Sequence, residues 1–208
     1  MARYTFIAPL YDLLSAEPVY RAGRRAAVAD LGLTPGMRVL DLGCGTGLNL
    51  PLLHDAVGER GAIVGVDRSQ SMLAVAAAKA TRNHWRSARF VCSEAAAVDG
   101  ALAAEPPFDA LIASYVLSLI PDWQTSWSAA VSLVRDGGRV SVVDMQLPTG
   151  RARLLSPLAR LACRVGGSDI TARPFTVVER TAQDVIARDL RGGHVQVRTG
   201  TVNTPAST

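Results

Sequence analysis

The stretch that decides the fold is Val39-Leu-Asp-Leu-Gly-Cys-Gly-Thr-Gly47, in which an apolar segment runs into three closely spaced glycines. A helical pattern follows over residues 47–57, so the stretch predicts a strand, a tight turn and a helix. Glycines in such a turn let the backbone approach a ligand closely, and the N-terminus of the following helix favours negative charge. We therefore predict a ligand-binding turn at residues 43–47.

Working outward, further apolar and β-branched segments alternate with helical patterns. The predicted strands are Arg38–Leu42, Ala62–Val66, Ala88–Cys92, Ala110–Ser114 and Arg139–Asp144, with helices over 71–80 and 121–134 between them. This alternation predicts an α/β fold with a doubly wound, mostly parallel Rossmann-like sheet and helices on both faces. Beyond residue 174 we predict one more helix and one clear strand, at 195–200.

The spacing of the glycines indicates which ligand the turn suits. A dinucleotide-binding turn needs a glycine at position 48, where this chain has Leu48, and this disfavours a nicotinamide oxidoreductase. The carboxylate of Asp41 would repel a pyrophosphate but suits a cationic ligand. Asp67 ends the second strand, where a carboxylate accepts hydrogen bonds from ribose hydroxyls. Asp41 as a capping residue and Asp67 as a turn residue are the alternatives.

Composition excludes several classes of protein. The 208 residues make about one domain, and 49% apolar with 19% charged residues excludes a disordered chain. No apolar run is long enough to span a membrane, and the N-terminus lacks the zones of a signal peptide, so we expect a cytoplasmic protein. The three cysteines are far apart with no CxxC pair, which argues against a disulfide scaffold or a zinc site.

With these motifs in place, the sequence resembles the class I S-adenosylmethionine-dependent methyltransferases, nearest the quinone and phosphatidylethanolamine branch. The stretch VLDLGCGTG (39–47) is similar to the family's first motif, and GVDRSQSML (65–73) to its second. Residues 90–95, 108–122 and 133–144 resemble the motifs of the third, fourth and fifth strands. The resemblance covers roughly residues 35–145 and implies S-adenosylmethionine as the cofactor.

The resemblance also implies roles for individual residues. Around the methionine part of the cofactor it places Asp41, Gly43, Cys44, Gly45 and Gly47, and it places Asp67 on the ribose. Arg68 and Met72 would flank the adenine, with Glu94 and Ala95 at the adenine edge. Ser114 would face the acceptor. Cys44 lies inside the turn and is not expected to act as a nucleophile. Weaker substrate contacts are predicted at Tyr4, Tyr11, Tyr115 and Asp144. The general base is left open among Tyr11, Tyr115, Asp144 and His194.

Other motifs narrow the chemistry. Glu105-Pro-Pro-Phe108 is similar to a motif of enzymes that methylate base amino groups, but it precedes the fourth strand, so we interpret it as a loop. Position 114 is serine and Asp144 stands alone, so no metal site is expected. The chain lacks an appended binding domain and an aromatic stacking run, so no nucleic-acid partner is expected. A nucleic-acid methyltransferase and an inactive cofactor-binding partner subunit remain alternatives.

The acceptor would bind to segments outside the glycine core. We divide the chain into a helical cover over residues 1–37 and a Rossmann-like domain over 38–208 with a basic insert at 147–174. Tyr11-Asp12 resembles the start of the quinone and phospholipid branch, although the Asn, His and Trp that follow in quinone enzymes are missing. We expect a small-molecule or lipid acceptor, leaning to a phospholipid head-group amine, with a quinone or other small metabolite as the alternative.

The net charge of +4 is unevenly distributed along the chain. Residues 39–150 carry a net charge of −3, whereas residues 151–208 carry +5. Within the insert, Arg153, Arg160 and Arg164 would share one face of a helix interleaved with leucines. Such a helix indicates peripheral contact with an anionic membrane, the alternative being that the leucines cover the sheet and the arginines face water. The oligomeric state is not predicted.

Overall fold

The computed structural model describes residues 17–157, 159, 160, 163 and 167–203. Within this part of the chain, seven strands form one sheet in the order β3-β2-β1-β4-β5-β7-β6. The strands are β1 (Arg38–Leu42), β2 (Ala62–Asp67), β3 (Ala88–Cys92), β4 (Phe108–Ser114), β5 (Val134–Met145), β6 (Gln183–Leu190) and β7 (Val195–Thr201). Strands β1 to β5 pair in parallel, and β7 is antiparallel to both β5 and β6. The predicted α/β class with a mostly parallel sheet is confirmed.

Helices cover both faces of the sheet. Those with defined bounds in the described part of the chain are α1 (Glu17–Asp30), α2 (Leu50–Val57), α3 (Gln70–Arg82), α4 (Val98–Ala101), α5 (Trp123–Val131) and α6 (Thr176–Thr181). Alternate side chains of β1 serve the two faces: Val39 packs with α1 and α2, whereas Leu40 and Leu42 pack with α4, α5 and α6. By the same alternation Asp41 lies on the face covered by α1 and α2, where an apolar residue would be expected.

The predicted strands agree closely with the structure, and the largest difference lies at β5. Strand β5 begins at Val134, which the sequence placed at the end of a helix, because Val134 pairs with Phe108 of β4. The glycines at 137 and 138 lie within the strand, where backbone groups of both bond to Val202. Helix α5 is accordingly shorter than predicted, and its two tryptophans, Trp123 and Trp127, are buried.

The prediction of a single strand near the C-terminus was wrong. Strands β6 and β7 form a complete antiparallel hairpin that closes the sheet. Most side chains of the edge strand β6 are exposed, so its sequence QDVIARDL lacks the apolar alternation that marks a half-buried strand. The turn between the strands passes through Gly192 and Gly193 with φ of 64° and 76°, which glycine adopts readily.

Two predicted segments lie partly or wholly outside the described residues. Tyr4 and Tyr11, with the rest of residues 1–16 of the N-terminal cover, are not described, and neither is Arg164 of the insert. In the described part of the insert, Gly150–Leu155 forms 3-10 turns, and Leu154 is 90% exposed. The predicted basic helix therefore remains a prediction. In the described part of the chain, no helix has the length and apolar character that a membrane span requires.

Helix α1 lies unusually close to the sheet at Gly23, and this contact can be tested. A Cβ atom at Gly23 would lie 2.3 Å from Tyr115 Oη and 2.7 Å from Val195 Cγ1. We expect Gly23→Ala to lower the free energy of unfolding by about 1–3 kcal/mol, because α1 or Tyr115 must move to make room. Urea denaturation measures the change. Gly100→Ala is the control, since a Cβ at that helical glycine meets nothing within 4 Å and should leave stability unchanged or raise it.

Candidate functional site

The glycine turn lies at the carboxyl edge of the sheet, between β1 and α2. Gly43, Gly45 and Gly47 have φ of 67°, 53° and 77°, a left-handed conformation that favours glycine. A Cβ at Gly43 would lie 2.2 Å from Val116 Cγ2, and one at Gly47 would lie 2.4 Å from Leu50 Cδ1. A Cβ at Gly45 would meet no atom of the described residues within 4 Å. The outer two glycines therefore permit packing, and the middle one faces an open space where a ligand can approach the backbone.

Asp67, at the end of β2, holds this turn in place. Its Oδ2 accepts a hydrogen bond from the backbone N–H of Gly45 at 2.9 Å, and its Oδ1 accepts one from Ser69 N–H at 2.9 Å. The second contact is the turn-residue role that the sequence offered as an alternative. Each carboxylate oxygen can accept a second hydrogen bond. The half-buried carboxylate can therefore hold the turn and still accept from ligand hydroxyls.

Asp41 lies fully buried at the end of β1. The side-chain amide of Asn49 donates to its Oδ1 at 2.9 Å and lies 3.4 Å from Ser114 Oγ. The other oxygen, Oδ2, is buried and has no hydrogen-bond partner in the part of the chain that the structure describes. Burial raises the pKa of Asp41 to about 7, although the Asn49 hydrogen bond and the charge of Arg24 act in the opposite direction. A buried acceptor without a partner is uncommon, and it fits a ligand that brings a donor.

Arg24 and Asn49 are site residues that the sequence did not single out for the cofactor. Arg24 is 5% exposed, and its guanidinium lies 5.6 Å from the centre of the Tyr115 ring. Arg24 belongs to the basic stretch Arg21-Ala-Gly-Arg-Arg25, but nothing in the sequence indicates that its charge acts on Asp41. For Asn49 a signal existed, since it is a polar residue just before an apolar helix.

Tyr115 and Asp144 both make contacts within the protein. Tyr115 has a φ of 57°, and its hydroxyl donates to the backbone carbonyl of Tyr20 in α1 at 2.9 Å. Burial raises the pKa of Tyr115 far above its usual value. Asp144 is fully buried and accepts hydrogen bonds from Ser118 Oγ at 2.7 Å and from Met145 N–H at 2.8 Å. Burial raises the pKa of Asp144 to about 6. Tyr115 thus attaches α1 to the sheet edge, and Asp144 joins the loop after β4 to the end of β5.

His194, another candidate base, also makes a hydrogen bond within the protein. Its Nδ1 lies 2.7 Å from the backbone carbonyl of Gln146, which can only accept, so Nδ1 carries the proton. In the neutral ring Nε2 is then the proton acceptor. The ring centre lies 6.1 Å from that of Tyr20, at the same sheet edge as the glycine turn.

The residues predicted around the adenine lie along the ends of β2 and β3. Arg68 and Glu94 are exposed, Ala95 is half-buried, and Met72 is 6% exposed in the first turn of α3. Cys44 is buried, and burial raises the pKa of its thiol far above the usual value, which disfavours a nucleophilic role. These positions leave the predicted adenine contacts as predictions.

The Glu105-Pro-Pro segment lies away from this site. It forms the loop before β4, at the amino edge of the sheet, where Glu105 pairs with Arg38 at 2.7 Å and Arg89 at 2.5 Å. The interpretation as a loop is confirmed. The acidic group therefore stabilises the opposite edge of the sheet and takes no part in the glycine-turn site.

The donors and acceptors of the site fit a nucleoside that carries a cationic group. Asp41 offers a buried carboxylate oxygen without a partner, Asp67 offers acceptors for hydroxyls, and Gly45 leaves open space beside the turn. A pyrophosphate would meet two carboxylates and be repelled. Within the described ranges, no group of three or more His, Cys, Asp or Glu residues could hold a metal ion.

Comparison with known proteins agrees with this geometry. A family model described as a methyltransferase domain matches residues 33–173. The 2-phytyl-1,4-naphtoquinone methyltransferase of Synechococcus elongatus is 34% identical over 157 residues, which cover 74% of this chain and 64% of that protein. The demethylmenaquinone methyltransferase of Lactococcus lactis is 29% identical over 152 residues, 70% of this chain and 58% of that protein. The chain thus spans a little less than two thirds of the length of these curated relatives.

Solved structures share the fold at low sequence identity. A phospholethanolamine N-methyltransferase of Haemonchus contortus has a TM-score of 0.70 at 13% identity and covers 95% of this chain, while this chain covers 57% of it. At such an identity the likeness shows the fold alone.

Proposed function

Because the chain belongs to the class I S-adenosylmethionine-dependent methyltransferases, we propose that it transfers the methyl group of that cofactor to a small apolar acceptor with a quinone-type ring. The observation that carries the cofactor site is the buried Oδ2 of Asp41, which lacks a partner, beside the open face of Gly45. The ring acceptor is supported by the names of the curated relatives, two of which are quinone-pathway methyltransferases.

When bound, S-adenosylmethionine supplies a methyl group that its sulfonium already makes electrophilic. The protein's task is then mainly to position the two reactants, which can contribute roughly 7–11 kcal/mol. In this proposal Asp41 accepts from the ammonium at the amino-acid end of the cofactor, and Asp67 accepts from the ribose hydroxyls. The loop after β4 and the end of β5, which Asp144 joins, frame the acceptor side.

The sequence leaned to a phospholipid head-group amine, and the curated relatives favour its alternative. The phosphoethanolamine enzyme among the structural neighbours supports the shared fold and gives the head-group amine no further support. The missing Asn, His and Trp of the quinone branch mean that the acceptor side would use other residues here. The ring acceptor is therefore proposed from the relatives, and the amine becomes an outcome of the test.

Two surface features belong to the same proposal. Helix α1 lies against the carboxyl edge through Gly23 and Arg24, which supports residues 1–37 as a cover of the site. In the insert, the strongly exposed Leu154 follows the exposed Arg153. An apolar and a cationic side chain together suit the surface of an anionic bilayer, from which an apolar acceptor could enter.

The acceptor is tested with methyl-labelled cofactor and three substrates: a reduced naphthoquinone with a prenyl tail, phosphatidylethanolamine and RNA. We expect label in the ring compound, and faster transfer when it is supplied in anionic than in neutral vesicles. Equal rates in the two kinds of vesicle would contradict the proposed contact with an anionic membrane. Label in phosphatidylethanolamine would restore the head-group amine as acceptor, and label in RNA would contradict both small acceptors. The same assay with Asp67→Asn shows whether any transfer depends on the glycine-turn site.

A further inference from the structure

Helix α1 packs along one face of the sheet and is fixed there by contacts near its start and at its end. Near its start, Tyr115 donates to the carbonyl of Tyr20, and the two rings lie 4.9 Å apart. At its end, Asp30 accepts two hydrogen bonds from Arg188, at 2.6 and 2.7 Å. Between these contacts Gly23 lets the helix approach Tyr115 closely. The next residue, Arg24, is therefore held in a defined place.

That place is at the same end of the sheet as Asp41, because Arg24 lies over the ring of Tyr115, and Asn49 lies 3.4 Å from Ser114, the residue before Tyr115, and 2.9 Å from Asp41. Arg24 is 5% exposed, and its charge acts on Asp41, which is fully buried. The guanidinium also lies over the Tyr115 ring, an arrangement that favours a cation. The left-handed backbone of Tyr115 is a strained conformation for a residue with a side chain, and such strain persists where the surroundings hold it. Several independent contacts thus hold Arg24 close to the glycine turn.

Without a nearby cation, a carboxylate buried this deeply would take up a proton. The groups that act on Asp41 from its neighbours are Arg24 of α1, Asn49 before α2 and Asp67 at the end of β2. Asn49 and Arg24 favour the carboxylate, whereas Asp67 disfavours it, so Arg24 supplies the positive charge that opposes burial. A protonated Asp41 could no longer attract an ammonium group.

We propose that Arg24 is a positioning residue of the cofactor site, whose buried charge holds the carboxylate of Asp41 ready to accept from the ammonium of the cofactor. This inference rests on the proposed cofactor site and adds a residue of α1 to it. Arg24 itself need not touch the ligand. It acts through Asp41, so its removal should change how binding depends on pH as well as how tight binding is.

Calorimetric titration with S-adenosylhomocysteine, which keeps the ammonium and is chemically stable, tests this between about pH 6 and about pH 8.5. Wild-type affinity should fall as the pH drops below about 7, where Asp41 takes up a proton. In Arg24→Met the fall should begin at a pH about one unit or more higher, so that affinity at about pH 7.5 is roughly tenfold weaker. Arg24→Lys keeps the charge and is expected to follow the wild-type profile more closely.

The Asp41→Asn variant distinguishes an effect of Arg24 through Asp41 from direct contact between Arg24 and the ligand. In that variant the pH dependence should flatten, and adding Arg24→Met should weaken binding little further. An equal loss from Arg24→Met at every pH, or the same loss in the Asp41→Asn background, would overturn the proposal and indicate that Arg24 binds the ligand's carboxylate. Should Arg24→Met fail to fold, a wild-type pH profile that Asp41→Asn leaves unchanged overturns it equally. Wild type that binds no S-adenosylhomocysteine would instead refute the proposed cofactor site.

Discussion

Asp67→Asn is expected to weaken the binding of S-adenosylhomocysteine by roughly 100-fold, about 2.7 kcal/mol. The carboxylate accepts from the N–H groups of Gly45 and Ser69, one on each oxygen. An amide in its place sets an NH2 group against one of these donors and leaves it without an acceptor. The ribose also loses a charged acceptor, and hydrogen bonds to charged groups contribute about 1.5–3 kcal/mol each. Calorimetric titration measures the loss directly.

The control for this prediction is Asp122→Asn. Asp122 also accepts from a backbone N–H, that of Thr125, but it does so at the start of α5, outside the glycine turn. Removing that contact should cost at most about 1 kcal/mol of stability and leave affinity within about twofold of wild type. Near-normal affinity of a folded Asp67→Asn protein would show that the ribose is bound elsewhere.

The sheet could be predicted because its central strands are buried on both faces. β1 matches its predicted bounds, and β2 and β4 differ by one or two residues, since continuous apolar runs admit few alternatives. The edge strand β3 also matches its predicted bounds, although none of its residues is buried, because Phe90 and Val91 favour a strand. Strand β6 escaped prediction because it is an edge strand with mostly exposed side chains. It is a strand because it pairs with β7, and its own sequence does not indicate this pairing.

The glycine turn could be predicted from the sequence, but the residues that approach it from other parts of the chain could not. The residues around Gly45 are contiguous in sequence, and Asp67 follows a recognisable strand. The charge of Arg24 acts on Asp41 from a helix that ends before the first strand begins. Spacing along the chain carries no information on such an interaction. Asp144 was predicted as a weak substrate contact, but its hydrogen bonds to Ser118 depend on how the segment after β4 meets the end of β5.

Gly45→Ala is expected to reduce affinity for S-adenosylhomocysteine by roughly 100-fold while the protein stays folded. The Cβ would project into the open space beside the turn, where the backbone must approach the ligand closely. Nothing in the fold obstructs it, so the cost to stability is that of a left-handed alanine, about 1–2 kcal/mol. Titration calorimetry and urea denaturation of the same preparation separate the two effects.

Gly32→Ala is a matched control because Gly32 has a φ of 61°, close to the 53° of Gly45, and a Cβ there would likewise meet nothing within 4 Å. It follows the end of α1, away from the glycine turn, so it should lose similar stability and keep wild-type affinity. Gly43→Ala should differ from both, because its Cβ would collide with Val116 and destabilise the fold itself. If Gly45→Ala and Gly32→Ala bind equally well, the open face of Gly45 is not where the ligand lies. If only Gly45→Ala loses binding, the loss comes from the space beside the turn, since the two variants share the same backbone cost.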